Sequence, residues 1–118
     1  MTVRPLRTRR GARCEPPAPA GAVLLFDGVF LLRPELREHW DVTVYLHVDP
    51  EETLRRALTR DVALFGSADV VRQRYRERYL PGQELYRAEA RPAQRADVVL
   101  DMADPHHPAV VRWTDPAP

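Results

Sequence analysis

An acid followed by a glycine, Asp27-Gly28, interrupts an apolar run that extends from Ala22 to Leu32. If the run is a strand, Asp27 falls at its carboxyl end, where open α/β sheets bind their ligands. A carboxylate there, beside a glycine that lets backbone come close, suits a metal-phosphate ligand. The same residues also fit a plain Asp-Gly turn after a strand. A second group of interest is Arg56, Arg60 and Asp61, followed by Arg72, Arg74, Arg76 and Arg78. Acids that hold Mg²⁺ and arginines that neutralise developing charge are the equipment of phosphoryl transfer. In a chain this rich in arginine, that set alone carries little weight.

These side chains need elements to position them. A continuous apolar run such as 22–32 is the pattern of a strand buried on both faces, as in parallel α/β sheets. Residues 33–40 fit a short helix with Pro34 in its first turn and Leu36 and Trp40 on one face. A second strand is expected over 42–48, with Val42, Val44, Leu46 and Val48 on one face and Thr43, Tyr45 and His47 on the other. His47 fits a sheet-face residue better than a catalyst, because no partner is indicated for it. Asp49-Pro50-Glu51-Glu52 combines a capping acid, a proline at the first helical position and a capping-box glutamate. Leu54, Ala57, Leu58, Val62 and Phe65 then follow at helical spacing up to Gly66, a plausible stop. Ser67 can cap a further helix from Ala68, in which Val71, Tyr75 and Tyr79 share a face. Pro81-Gly82 is expected to break or kink it, with resumption over 83–90. Residues 96–101 read as a third buried strand. Asp104-Pro105 and a proline-rich tail containing Trp113 close the chain.

Composition narrows the choices. The 118 residues suit one domain, and 44% apolar with 30% charged residues allows a modest core. A net charge of +1 gives no global case for nucleic acid or a membrane surface. All 18 basic residues are arginine, which removes every function that needs a lysine. The single Cys14 has neither a disulfide partner nor metal-ligand spacing, which fits a reducing, cytoplasmic setting. No apolar run reaches the roughly 18–20 residues that span a bilayer. Residues 1–21 hold five Arg and four Pro with little that is apolar, the composition of a disordered arm. Arginines 72, 74, 76 and 78 alternate by two, which puts them on two sides of a helix. That fits a solvated helix better than a nucleic-acid reader.

The element order strand–helix–strand–helix–helix–strand is that of an α/β protein. With it, the ordered motifs FDGVFLLRPEL, WD, the Arg-rich helix ending TRD, RYRERYLPGQELY and RADVVLD resemble the C-terminal half of uridine kinase-like P-loop kinases. The likeness covers residues 22–113, with 1–21 as an arm and 114–118 as a tail. It implies ATP-dependent phosphoryl transfer to a nucleoside or related small molecule, with Mg²⁺ and ATP as cofactors. It also implies a parallel sheet, here incomplete at about three strands, with flanking helices and an Arg-rich lid. By the resemblance Asp27 is the Mg²⁺-site acid, and Arg56, Arg60 and Asp61 match the lid motif that touches phosphates or substrate. Asp97 matches the Ala-Asp that opens the last strand before the adenine-side loop, and Asp101 closes that strand.

Three departures qualify the likeness. Phe65-Gly66 stands where the family often has Arg-Gly, and Asp101-Met102 where Asp-Asn is common. The third is the P-loop itself. GxxxxGK[ST] needs a lysine to neutralise phosphates cradled by backbone N–H groups, and this sequence has none. The chain therefore reads as a truncated kinase without turnover of its own, which a separate P-loop-bearing half could complement. The missing strand would lie between 22–26 and 42–48. Because strands sit about 4.8 Å apart, the gap is expected to close by direct pairing of those two segments. The alternative reading, from a different class, is a non-enzymatic Arg-rich module that binds an anionic partner with steep salt dependence.

Overall fold

The computed structural model describes residues 17–116. Residues 1–16 of the arm, Cys14 among them, and the last two residues of the tail lie outside the described residues. The element order is α1 (Pro34–Arg37), β1 (Val44–His47), α2 (Pro50–Arg60), α3 (Val62–Phe65), α4 (Ala68–Arg74), a π-helical turn (Tyr75–Tyr79), α5 (Leu80–Ala90), α6 (Pro92–Arg95), β2 (Val98–Asp101) and β3 (Ala109–Trp113). The protein is thus mixed α/β, with helices flanking a three-stranded sheet of order β1-β2-β3.

The sheet differs from expectation in three ways. First, the apolar run 22–32 forms no strand. Residues 22–30 are exposed, with Leu25 at 91%, and only Leu32 is buried. The run is held by its far end: Trp40 donates its indole N–H to Leu31 O at 2.8 Å, and Leu32 N–H donates to the Tyr86 hydroxyl at 3.1 Å. Phe26 stacks on Trp40 with ring centroids 5.6 Å apart. Those contacts satisfy aromatic rings but bring no strand partner to the backbone of 22–26, and a buried strand needs one on each side. Second, the expected pairing of 22–26 with 42–48 is absent. β1 pairs instead with β2, in parallel, with Val44 opposite Val98 and His47 opposite Asp101. Third, the sheet is mixed and not purely parallel, because the tail contributes β3. This strand runs antiparallel to β2, with Trp113 opposite Val98 and Val110 opposite Leu100, and a register shift at Val99/Leu100.

One sheet face is covered and the other is not. Tyr45 and Val99 are partners in the ladder, and Val99 packs with Leu32 and Ala96 while Trp40, Tyr45 and Tyr86 close around them. Arg87 of α5 donates to the Tyr45 hydroxyl at 3.3 Å and to Val48 O at 3.5 Å, which ties that helix to β1. On the opposite face Val98 is buried, but Val44, Leu46, Val110 and Trp113 are mostly exposed.

The helices form a second core. Leu54, Ala57, Val71 and Tyr75 are buried together, with Leu58, Val62, Phe65 and Leu80 packed on them. The stripe anticipated over 54–65 is therefore the stripe that packs. The chain does not run as one helix, however: it breaks at Asp61, whose φ of −99° lies between α2 and α3. Nor does the expected capping box form. Asp49 makes no side-chain cap and lies 3.5 Å from His47 Nε2, while the Glu52 carboxylate is taken by Arg55 at 2.6 Å and Arg56 at 2.8 Å. Gly66 does end α3, at a left-handed φ of 91°, and the Ser67 hydroxyl accepts from Val70 N–H.

Residues 68–90 make one continuous helical rod, so of the break or kink expected at Pro81-Gly82 the break does not occur. Proline lacks an N–H and its ring crowds the carbonyl four residues back, here Glu77. The rod absorbs this by widening to a π turn just before the proline, with Leu80 N–H bonding Tyr75 O. Gly82 then sits inside a helix where an added Cβ would lie 3.8 Å from Phe30 Cζ, an ordinary contact. Gly82→Ala is therefore expected to stabilise the protein by about 0.5–1 kcal/mol, read as a raised urea midpoint.

Candidate functional site

The carboxyl ends of β1 and β2 carry one set of polar groups. His47 and Asp101 are ladder partners at those ends, and Met102 N–H donates to His47 O at 2.9 Å. Arg56 reaches over from α2. Its Nη2 donates to Met102 O at 2.6 Å and Ala103 O at 3.2 Å, while Nε donates to Glu52 at 2.8 Å. Glu52, flanked by Arg55 and Arg56, is held down at about 2 by the Arg55 hydrogen bonds and then by those of Arg56. Asp101 accepts from Ala103 N–H at 2.9 Å and so shapes the turn that follows the strand. Farther along that loop, Asp104 pairs with the His107 ring at 2.9 Å and accepts from His106 N–H. The His107 contact, reinforced by backbone N–H groups, keeps the Asp104 carboxyl below the usual carboxylate range.

A second constellation lies at the α2–α3 junction. Arg60 forks onto Asp61, Nε to Oδ1 at 2.7 Å and Nη2 to Oδ2 at 3.1 Å. The Tyr75 hydroxyl donates to Asp61 Oδ2 at 2.9 Å and accepts from Arg60 Nη2 at 3.2 Å. The three side chains close a ring of hydrogen bonds at the rim of the helical core. Arg60 first, and Tyr75 more weakly, lower the Asp61 carboxyl against the opposing effect of burial; burial, and then Asp61, raise the Tyr75 phenol. The Asp61 hydrogen bonds raise Arg60 further still. Arg60 itself remains 71% exposed, so its outer face is open to a ligand while Asp61 and Tyr75 fix its inner one.

The residues singled out from sequence do not all converge. Arg56 sits with the loop after Asp101, and Arg60 and Asp61 sit together at the helix junction. Asp97 lies at the amino end of β2, opposite to Asp101. Its Oδ2 accepts from Thr43 N–H at 2.8 Å and Thr43 Oγ1 at 3.0 Å, and Asp97 N–H donates back to Oγ1 at 3.0 Å. Asp97 thus clips β1 to β2. Asp27 lies in the exposed segment and enters no ion pair among the described residues.

Sequence reasoning missed Tyr75, Thr43 and Glu52 as partners of these groups. Tyr75 was visible only as one apolar-face residue; its bond to Asp61 spans 14 positions and a helix junction. Glu52 lies three and four residues before Arg55 and Arg56, a spacing that signals ion pairs on a helix as well as a cap.

Among the described residues, no three His, Cys, Asp or Glu side chains come together in a way that could hold a metal ion. Asp27 alone could give one carboxylate to Mg²⁺. The sequence has no lysine for a P-loop, so these residues do not by themselves fit Mg–ATP. Among the described residues no helix is long and apolar enough to cross a membrane. No protein-family model matches the chain, and neither a curated protein nor a solved structure matches it.

Proposed function

We propose that this chain is the C-terminal part of a uridine kinase-like phosphotransferase. It has no turnover alone and acts on a nucleoside-type substrate once a P-loop-bearing segment from outside these 118 residues adds to it. The observation that carries this reading is the free outer edge of β1. Thr43 O and His47 O accept from β2, so in a parallel ladder the alternate residues Val44 and Leu46 turn their N–H and C=O groups the other way. Their side chains are 53% exposed, and β1 carries neither the charge, the proline nor the bulge that blunts a natural sheet edge. The segment 22–26 is apolar, exposed and unpaired as well. A strand added at β1 satisfies the ladder on its free side, and an accompanying helix covers Val44, Leu46, Val110 and Trp113.

In this reading Asp27 would supply one carboxylate to the metal, and every other ligand would have to come from outside these residues. Arg60 presents its outer face to substrate phosphate, positioned by Asp61 and Tyr75. Arg56 holds the loop after β2, where Asp101 shapes the turn.

The test is a phosphorylation assay with uridine and ATP. The chain is assayed alone and mixed with the separately expressed P-loop half of a uridine kinase. No product from the chain alone and product from the mixture, above that of the P-loop half by itself, is expected. Turnover by the chain alone overturns the claim of dependence. A mixture no more active than the P-loop half overturns the assignment.

A further inference from the structure

A cleft of about 480 Å³ opens at the amino ends of β1 and β2, lined by Arg37, Trp40, Asp41, Thr43, Arg95 and Asp97. It lies at the opposite end of the strands from His47 and Asp101, and owes nothing to the function proposed above. Part of its wall is held by hydrogen bonds within the protein. Trp40 is locked by its indole bond to Leu31 O at 2.8 Å. Thr43 and Asp97 are clipped together by three hydrogen bonds, and Leu32 forms a buried apolar floor.

Within this frame one donor is unsatisfied. Arg37 Nε is shielded from solvent and has no hydrogen-bond partner. A buried N–H left unpaired is costly, and native structures rarely leave one so without a reason. Arg95 shares the lining and enters no ion pair among the described residues. The two arginines do not make a general anion trap, because Asp41 and Asp97 line the same cleft and cancel their charge. Asp97 uses only Oδ2 in the clip to Thr43, which leaves Oδ1 an open acceptor.

We propose that the cleft binds a small amino-carboxylate zwitterion. Its carboxylate meets the guanidinium groups of Arg37 and Arg95, and its ammonium group meets the carboxylates of Asp41 and Asp97. Its apolar body rests against Trp40 and Leu32. A zwitterion uses all four charges, whereas a simple anion or cation leaves two of them opposed to it. The volume lies in the range of small-molecule sites.

The full chain carrying Trp113→Phe, with Trp40 as its single tryptophan, tests this. Norleucine, hexanoate and pentylamine are titrated at constant ionic strength. Trp40 fluorescence and the NMR signal of the Arg37 Nε–H group are followed. Norleucine is expected to give a saturable change in both, with hexanoate and pentylamine at least tenfold weaker. Arg37→Lys keeps the charge but moves the donor, and is expected to weaken norleucine at least tenfold with an unchanged circular dichroism spectrum. Arg95→Gln is a second variant with the same expectation. No saturable response to norleucine overturns the proposal. Hexanoate or pentylamine binding as tightly as norleucine overturns it too, as does norleucine binding unaltered in both variants.

Discussion

Replacing Tyr75 with alanine is expected to cost about 3–5 kcal/mol, a large part of the roughly 5–15 kcal/mol that holds a domain folded. The ring is only 8% exposed and packs with Leu54, Ala57 and Val71 where α2, α4 and the π turn meet. Its loss leaves a cavity at the centre of the helical core, not a dent at the margin. Tyr75→Phe separates the two contributions. It keeps the ring and removes the hydroxyl that bridges Asp61 and Arg60, and is expected to cost only about 1 kcal/mol. Urea denaturation of the three proteins checks this, and equal losses in the two variants would show that the hydroxyl and not the ring dominates. A pH series adds an independent reading. Arg60 and Tyr75 hold the Asp61 carboxyl below its ordinary value. Its stabilisation is therefore complete above the ordinary carboxylate pKa and is lost as pH falls through the lower folded value. Asp61→Asn should be less stable than the parent at neutral pH, and the difference should shrink in acid.

The helical half of the protein was largely legible in the sequence, because its signals are local. Leu54, Ala57, Leu58, Val62 and Phe65 repeat at helical spacing whatever surrounds them, and Gly66 and Ser67 punctuate the chain with residues suited to those backbone positions. The sheet was less legible because strand signals say what a segment could bury and not whether a neighbour exists to bury it. The run 22–32 has the composition of a buried strand, yet only Leu32 reaches a core. The rest finds no strand partner among the described residues. β3 was overlooked for the opposite reason. Ala109–Trp113 is short and follows a proline, so its composition reads as tail, and only the ladder with β2 makes it a strand.

The candidate site shows the same division. Arg60 and Asp61 are adjacent, so their pairing needed no fold to suggest it. The third member of that ring comes from a helix that returns across the core, and no spacing rule connects Tyr75 to it. Asp97 and Asp101 lie in one short stretch of sequence, but a four-residue strand sends them to opposite ends of the sheet. Asp97 becomes a clip on Thr43, and Asp101 shapes a loop. The sequence already puts Asp97 at the opening of that strand and Asp101 at its close; the partners each finds there, Thr43 and the Ala103 N–H, come only with the fold.

Leu46→Lys is expected to weaken complementation by the P-loop half at least tenfold while leaving the chain folded. Leu46 lies mid-way along the free edge of β1 and is 53% exposed, so the isolated chain loses little, within about 0.5 kcal/mol by the usual behaviour of surface substitutions. An incoming strand meets a different situation. A lysine on an edge strand must be desolvated or displaced when a neighbour adds, which is how natural proteins keep their edges unpaired. Complemented uridine phosphorylation should therefore fall at least tenfold, about 1.4 kcal/mol or more of lost association at subsaturating partner. Raising the concentration of the P-loop half should recover part of the activity, because the defect lies in binding and not in chemistry. Leu64→Lys serves as the matched control, since Leu64 is 77% exposed on α3 and away from the β1 edge. It introduces the same charge and should leave complementation unchanged. Equal activity of the Leu46 and Leu64 variants would mean that the P-loop half does not add at the edge of β1.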